Sequence, residues 1–143
     1  MKPETRFYEY LKKILPATWM LQRIETTTAV GVPDLNILIP DIGELWAEIK
    51  SCKTRTKIRR EQYAWITKRH YLGGKAIVIN RDKNKEIQIW SKKFDIKQAG
   101  GRYLTITNKP DATFSDRFEI RNLQNYLTLL LTETTKTEKN QNE

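Results

Sequence analysis

The stretch Gly31-Val32-Pro33-Asp34-Leu35-Asn36-Ile37-Leu38-Ile39, then Pro40-Asp41-Ile42-Gly43, then Glu44-Leu45-Trp46-Ala47-Glu48-Ile49-Lys50 decides the fold. Two strand-like runs, 34–39 and 44–50, flank a Pro/Gly breaker, which reads as a hairpin. Leu35, Ile37 and Ile39 alternate on the first run, and Leu45, Ala47 and Ile49 on the second. Both sets need a core, and directly opposed residues share a face. The register must therefore pair residues whose numbers sum to an even value. Pairing Leu35 with Ala47, and hence Asp34 with Glu48, meets that condition. The opposite face then carries Asp34, Asn36, Trp46, Glu48 and Lys50.

That face has an electrostatic problem. Two carboxylates directly opposed on a strand pair have Cβ atoms about 5 Å apart. If both are ionised they repel by about 3 kcal/mol at an effective dielectric near 20. A divalent cation offsets this, and carboxylate oxygens are what Mg²⁺ or Mn²⁺ prefers. Lys50, two residues beyond Glu48 on the same face, can act on an attacking water or neutralise charge on a phosphate. The bland alternative is a surface ion pair between Lys50 and Glu48.

Outward from the hairpin, Phe7, Tyr10, Leu11 and Ile14 recur at helical spacing over 4–15, with Glu9 on that helix and Pro16 as its stop. Residues 19–28 accumulate β-branched side chains, a strand ending in the turn at 30–33. Downstream, 57–72 read as a second helix with Ile58, Trp65, Ile66 and Leu72 on one side, caps at Thr54 or Thr56, and a stop at Gly73-Gly74. The run Ala76-Ile77-Val78-Ile79 reads as a buried central strand, followed by a strand at 87–90 and an edge strand at 102–107. Asp116 and Glu119 form a capping box for a last helix bearing Leu123, Tyr126, Leu127 and Leu130. Residues 133–143 lack apolar side chains and are expected to be a disordered polar tail. The sum is one α/β domain over 1–132, a mixed sheet flanked by helices in the order αβββαβ plus C-terminal strands and a helix.

The chain has 143 residues, with 26 Lys+Arg, 17 Asp+Glu and a formal net charge of +9. The excess is local: residues 1–49 hold 5 basic and 7 acidic side chains, whereas residues 50–75 hold 9 and 1. The second segment, with Tyr63, Trp65 and Tyr71 interleaved, reads as a polyanion footprint, or else as a solvated helix face and loop. Lys57, Arg59 and Arg60 in the first turn of a helix oppose its dipole, an arrangement easier to understand beneath a polyanion. A single histidine, His70, and a single cysteine, Cys52, exclude His-rich metal sites, disulfides and Cys-rich zinc sites. No apolar run reaches the roughly 18 residues of a membrane span and the N-terminus has no apolar signal region, so no membrane partner and a cytoplasmic location are expected. Phosphate-loop, dinucleotide and nucleophile-elbow motifs are absent from the sequence.

Gly31-Val32-Pro33-Asp34 followed by Glu48-Ile49-Lys50 resembles the PD-(D/E)xK nuclease signature. It is most similar to that of the small stand-alone VRR-NUC nucleases of viral type and of the archaeal Holliday junction resolvases, with Gln62 in Arg60-Glu61-Gln62 as the downstream glutamine. The resemblance covers residues 4–80 and implies a restriction-endonuclease-like fold. It further implies that Asp34, Glu48 and the backbone carbonyl of Ile49 hold Mg²⁺ or Mn²⁺ and that Lys50 acts on the attacking water. Glu9 looks like the family's additional helical acid, with Glu4 as its rival. Gln62 is either an active-site residue near Lys50 or a core amide bonded to backbone. Lys53, Arg55, Lys57, Arg59 and Arg60 would grip phosphates beside the metal. The implied activity is a metal-dependent DNA endonuclease, structure-selective on branched DNA such as Holliday junctions, of prokaryotic or viral origin. Two symmetric cleavage points on a junction imply a homodimer, for which Leu129 and Leu131 are candidates. The alternatives are a sequence-specific restriction-type nuclease, with recognition loops within 91–117, and a non-catalytic nucleic-acid binding protein on the same fold.

Overall fold

The computed structural model describes residues 1–25 and 30–141, with side chains described as far as 133. The elements are α1 (Pro3–Ile14), β1 (Met20–Arg23), β2 (Leu35–Ile39), β3 (Gly43–Lys50), β4 (Lys57–Arg59), α2 (Arg60–Tyr71), β5 (Ala76–Arg81), β6 (Glu86–Trp90), β7 (Ile96–Gly100), β8 (Tyr103–Ile106), β9 (Ala112–Ser115) and α3 (Ile120–Gln141). A six-stranded sheet runs β1-β2-β3-β5-β6-β9, and a three-stranded sheet runs β4-β8-β7. β3 and β5 pair in parallel, and the other neighbours pair antiparallel. The β2–β3 register pairs Leu35 with Ala47, as side-chain parity requires.

Each face of the large sheet has its own core. Leu35, Ile37, Leu45, Ala47, Ile49, Ile77, Ile79, Ile87 and Ile89 pack with Phe7 and Leu11 of α1 and Leu123, Leu127 and Leu130 of α3. On the other face Ala76, Val78 and Trp90 pack with Ile66 of α2 and with Ile58, Leu104 and Ile106 of the small sheet. β5 is buried from Ala76 to Asn80, as expected of a central strand covered on both faces. Among the described residues no helix is long and apolar enough to cross a membrane.

Several expectations are corrected. Residues 57–59 are strand, not helix: Ile58 is buried between exposed Lys57 and Arg59, a period-2 pattern that pairs with β8. Helix α2 begins at Arg60, capped by Arg59 in extended conformation and by Gln62, so neither Thr54 nor Thr56 caps it. Lys57 therefore lies before the helix, Arg59 at its N-cap and Arg60 in its first turn oppose its dipole as expected, and Glu61 in the first turn favours it. Leu72 is exposed rather than core. The strand expected at the edge is β8, the middle of the small sheet. Asp116 does not cap α3: its Oδ2 accepts a 2.7 Å hydrogen bond from Arg81 Nε. Ser115 and Glu119 do that work, Ser115 N–H donating to Glu119 Oε1 at 2.9 Å and Ser115 Oγ accepting from Phe118 N–H at 3.1 Å. The backbone of α3 is helical to Gln141. The expected tail, 133–143, lies outside the described residues for side chains from 134 onward and entirely at 142–143. The strand expected over 19–28 is described only as far as 25 and is β1.

Arg60, expected to grip phosphate, is instead an anchor. Its N–H donates to Arg102 O at 3.0 Å and its Nε to Gly101 O at 3.5 Å, and its Nη2 donates to Gln98 Oε1. The hairpin of β7 and β8, turning at Gly100 and Gly101 with φ of 105° and 59°, is thereby tied to the start of α2. Arg60→Ala is expected to raise amide hydrogen exchange over 96–102 about fivefold, roughly 1 kcal/mol of local stability, and to leave β3 and β5 unchanged.

Candidate active site

β3 ends by placing Glu48 and Lys50 on the face opposite the first core, both buried at 3 % and 8 % exposure. Asp34 lies one residue before β2. Ile24 N–H donates to its carbonyl at 2.8 Å, and Ile49 N–H donates to its Oδ1 at 2.8 Å. In an antiparallel strand a residue's N–H and C=O point toward the same neighbour, so the Ile49 carbonyl also faces the Asp34 side.

Gln62 reaches this face from the first turn of α2. Its Nε2 donates to Glu48 Oε2 at 2.9 Å, while its Oε1 accepts from Lys50 Nζ at 3.2 Å and from Arg59 N–H at 2.9 Å. One side chain thus caps the helix and joins the acid to the lysine. Lys50 Nζ lies 3.5 Å from Glu48 Oε2. The other carboxylate oxygen, Glu48 Oε1, is buried with no hydrogen-bond partner.

Burial raises the Asp34 pKa to about 6, against the lowering effect of the Ile49 N–H, Arg23 and Lys50. Burial and then the charge of Asp34 push Glu48 up to about 8, against the pull of Lys50. Two carboxylates held this way, one with an unpartnered buried oxygen, form a donor set that fits a hard divalent cation. Among the described residues no three His, Cys, Asp or Glu side chains cluster closely enough to hold a metal between them. The fit therefore rests on two carboxylates, the Ile49 carbonyl and solvent oxygens, which suits Mg²⁺ better than an all-protein cage.

A cavity of about 750 Å³ opens onto these groups; Glu4, Asp34, Glu48, Lys50, Gln62, Lys57, Arg59 and Tyr103 are among its lining. Glu9 is not. It is exposed and ion-paired with Lys12 at 3.0 Å. Of the two acids considered on α1, Glu4 is the one at the cavity, because it precedes Phe7, Tyr8 and Leu11 on the inward stripe of α1 at spacings of 3, 4 and 7; Glu61 of α2 lines the cavity as well. Lys57 and Arg59 line the cavity, Lys53 and Arg55 are exposed outside it, and Arg60 is engaged elsewhere. Leu129 is exposed, whereas Leu131 packs against the first core.

Sequence reasoning missed Asn80. It lies opposite Lys50 on β5, and its Nδ2 donates to Cys52 O and Gln88 Oε1, both at 3.0 Å. Its Oδ1 accepts from Cys52 N–H at 2.7 Å, so it fixes the chain as it leaves β3. A polar residue closing the apolar run 76–79 was the available signal. Gly31 supports the loop before Asp34: it has φ +87°, and a Cβ there would lie 2.3 Å from the Glu61 carbonyl oxygen.

No family model matches the chain, and no curated protein matches it in sequence. Among solved structures it is similar to Hjc, a Holliday junction resolvase from the archaeal hyperthermophile Archaeoglobus fulgidus. The identity is 15 % and the TM-score 0.53, over 75 % of this chain and 85 % of that one. The two share a fold: a mixed sheet flanked by helices, of the restriction-endonuclease-like kind.

An acid with a raised folded-state pKa binds its proton more tightly folded than unfolded. The metal-free protein should therefore lose stability as pH climbs from about 4.5 to about 8 through the Glu48 titration, with a slope of at most about 1.4 kcal/mol per pH unit for that proton. Thermal melts at pH 5, 6.5 and 8 check this, and Glu48→Gln should flatten the dependence. Gly31→Ala should destabilise by more than about 1 kcal/mol in a denaturant titration, since both its φ and its contact with Glu61 resist a Cβ.

Proposed function

We propose that this chain is a divalent-metal-dependent endodeoxyribonuclease of the PD-(D/E)xK superfamily, nearest to its VRR-NUC and resolvase branches, acting as a homodimer on branched DNA such as Holliday junctions. The observation that carries the reading is Glu48: buried, beside a second carboxylate, with one oxygen shared between Gln62 and Lys50 and the other without a partner. A fold keeps so costly a group only where something compensates it. Asp34, Glu48 and the Ile49 carbonyl would hold Mg²⁺ or Mn²⁺, which when bound supplies Lewis-acid activation of water and phosphate. Glu4 adds negative charge at the same cavity.

The chain's own groups do the rest. Lys50, held by Gln62, donates hydrogen bonds that orient the attacking water and offset charge growing on the phosphoryl oxygens. Gln62 is a positioning residue, because its contacts are to Glu48, Lys50 and the Arg59 backbone. Lys57 and Arg59 line the cavity and would hold flanking phosphates. That a protein of like fold is a Holliday junction resolvase supports branched DNA as substrate. A four-way junction presents two equivalent strands, which favours a two-fold dimer. β7, β8 and β9 take up 13 of the 27 residues in the stretch considered for recognition loops, 91–117, which leaves less loop for a restriction-type enzyme.

Incubation with duplex, single strand, flap and four-way junction in Mg²⁺ is the test. Branched substrates should be cut fastest, and Asp34→Ala and Lys50→Ala should each lower cleavage about 10²–10³-fold. Undiminished cutting by either variant contradicts the catalytic assignment. Salt-sensitive binding without any cleavage favours the non-catalytic alternative.

A further inference from the structure

The small sheet has an outer face that runs on beyond the catalytic cavity. Its inner face is closed by Ile58, Leu104 and Ile106, which belong to the second core. By strand alternation the outer face carries the row Lys57, Thr105, Lys97 across the three strands, and beside it Arg59 opposite Tyr103. A cavity of about 580 Å³ lies on this face, lined by Arg55, Lys57, Lys97, Gln98, Thr105 and Thr107 among others, with no acidic residue in its lining. Lys57 lines this cavity and the catalytic one alike, and Tyr103 lines the catalytic one.

The groups on this face are unspent. Among the described residues Arg55, Lys57, Lys97 and Tyr103 make no side-chain hydrogen bond, ion pair or ring contact, and Tyr103 is 44 % exposed. The sheet itself is held firmly, by Arg60 on the Gly101 carbonyl and on Gln98. Three free cations around an acid-free cavity, with a free aromatic ring beside them at the edge of the catalytic cavity, match one ligand chemistry: phosphates in series with bases whose faces are open. A duplex offers the phosphates but hides its base faces in the stack, whereas an unpaired strand offers both.

We propose that the outer face of the β4–β8–β7 sheet is a platform for single-stranded DNA, continuous with the catalytic cavity, on which Arg55, Lys57 and Lys97 take phosphates and Tyr103 stacks an unpaired base. The identity of the ligand as DNA rests on the nuclease reading. The platform deepens that reading by adding, within branched DNA, an affinity for branches that carry an unpaired strand, such as flaps and splayed arms.

Binding of a fluorescent oligothymidylate, followed by anisotropy in EDTA so that no turnover occurs, separates this proposal from the nuclease reading. Wild type should bind the oligomer more tightly than a duplex of equal length. Lys97→Ala should reduce the slope of log K against log salt by about 0.7, the value for one single-strand phosphate contact. Tyr103→Ala should weaken binding about tenfold with the slope unchanged, and Tyr103→Phe should retain wild-type affinity. Lys13→Ala, an exposed cation on α1 on the other side of the large sheet, is the control for bulk charge. The proposal is overturned if wild type prefers duplex, or if Lys97→Ala and Tyr103→Ala, folded by circular dichroism, bind no worse than Lys13→Ala. Metal-dependent cleavage is scored separately, so a protein that binds as described but does not cut sinks the nuclease reading and leaves the platform standing.

Discussion

The structure turns on a buried carboxylate that its own fold only half satisfies. Glu48 sits at 3 % exposure with Oε2 bound by Gln62 and Lys50, and with Oε1 lacking any donor. Asp34 beside it adds repulsion, and burial raises both acids above their ordinary values. Lys50 and the Gln62 amide offset part of the cost, and the remainder explains why the site suits a cation. Asp34 is steadied by Ile49, Lys50 by Gln62, Gln62 by the start of α2, and the chain after Lys50 by Asn80.

The first core and the candidate site lie on opposite faces of the large sheet. The odd-numbered residues of β2 and β3 enter a core closed by α1 and α3, which leaves the even-numbered residues near the ends of both strands free to carry polar groups. The opposite core lies along β5 and β6 with α2 and the small sheet, and none of its residues is in the lining of the cavity. Because β3 and β5 are parallel, the chain between them must cross over. That crossover is where β4, the cavity's Lys57 and Arg59, and Gln62 are placed.

What was legible in the sequence follows from how strongly each segment was constrained. The hairpin register could be worked out because two alternating apolar sets had to share a face, and the central strand because four apolar residues stood in a row. Ile58 misled, since it fits a helical stripe with Ile66 as well as a period-2 strand between Lys57 and Arg59. β7 has no buried residue and so offers no pattern to read; only its pairing with β8 reveals it. Glu9 and Glu4 share a helix, and which one faces the site depends on the inward stripe through Tyr8, a residue whose polar hydroxyl hid its core role. Asp116 stood where a cap was expected, but the partner that claims it, Arg81, is distant in sequence and close only after folding.

The central claim is that Glu48 and Asp34 are kept together for a divalent cation. Calorimetric titration of Mn²⁺ into the DNA-free protein at pH 8 tests it most directly, with wild type compared to Glu48→Gln. Wild type should bind Mn²⁺ saturably, and Glu48→Gln should abolish that binding while remaining folded. Equal binding by both proteins, or none by wild type, would contradict it.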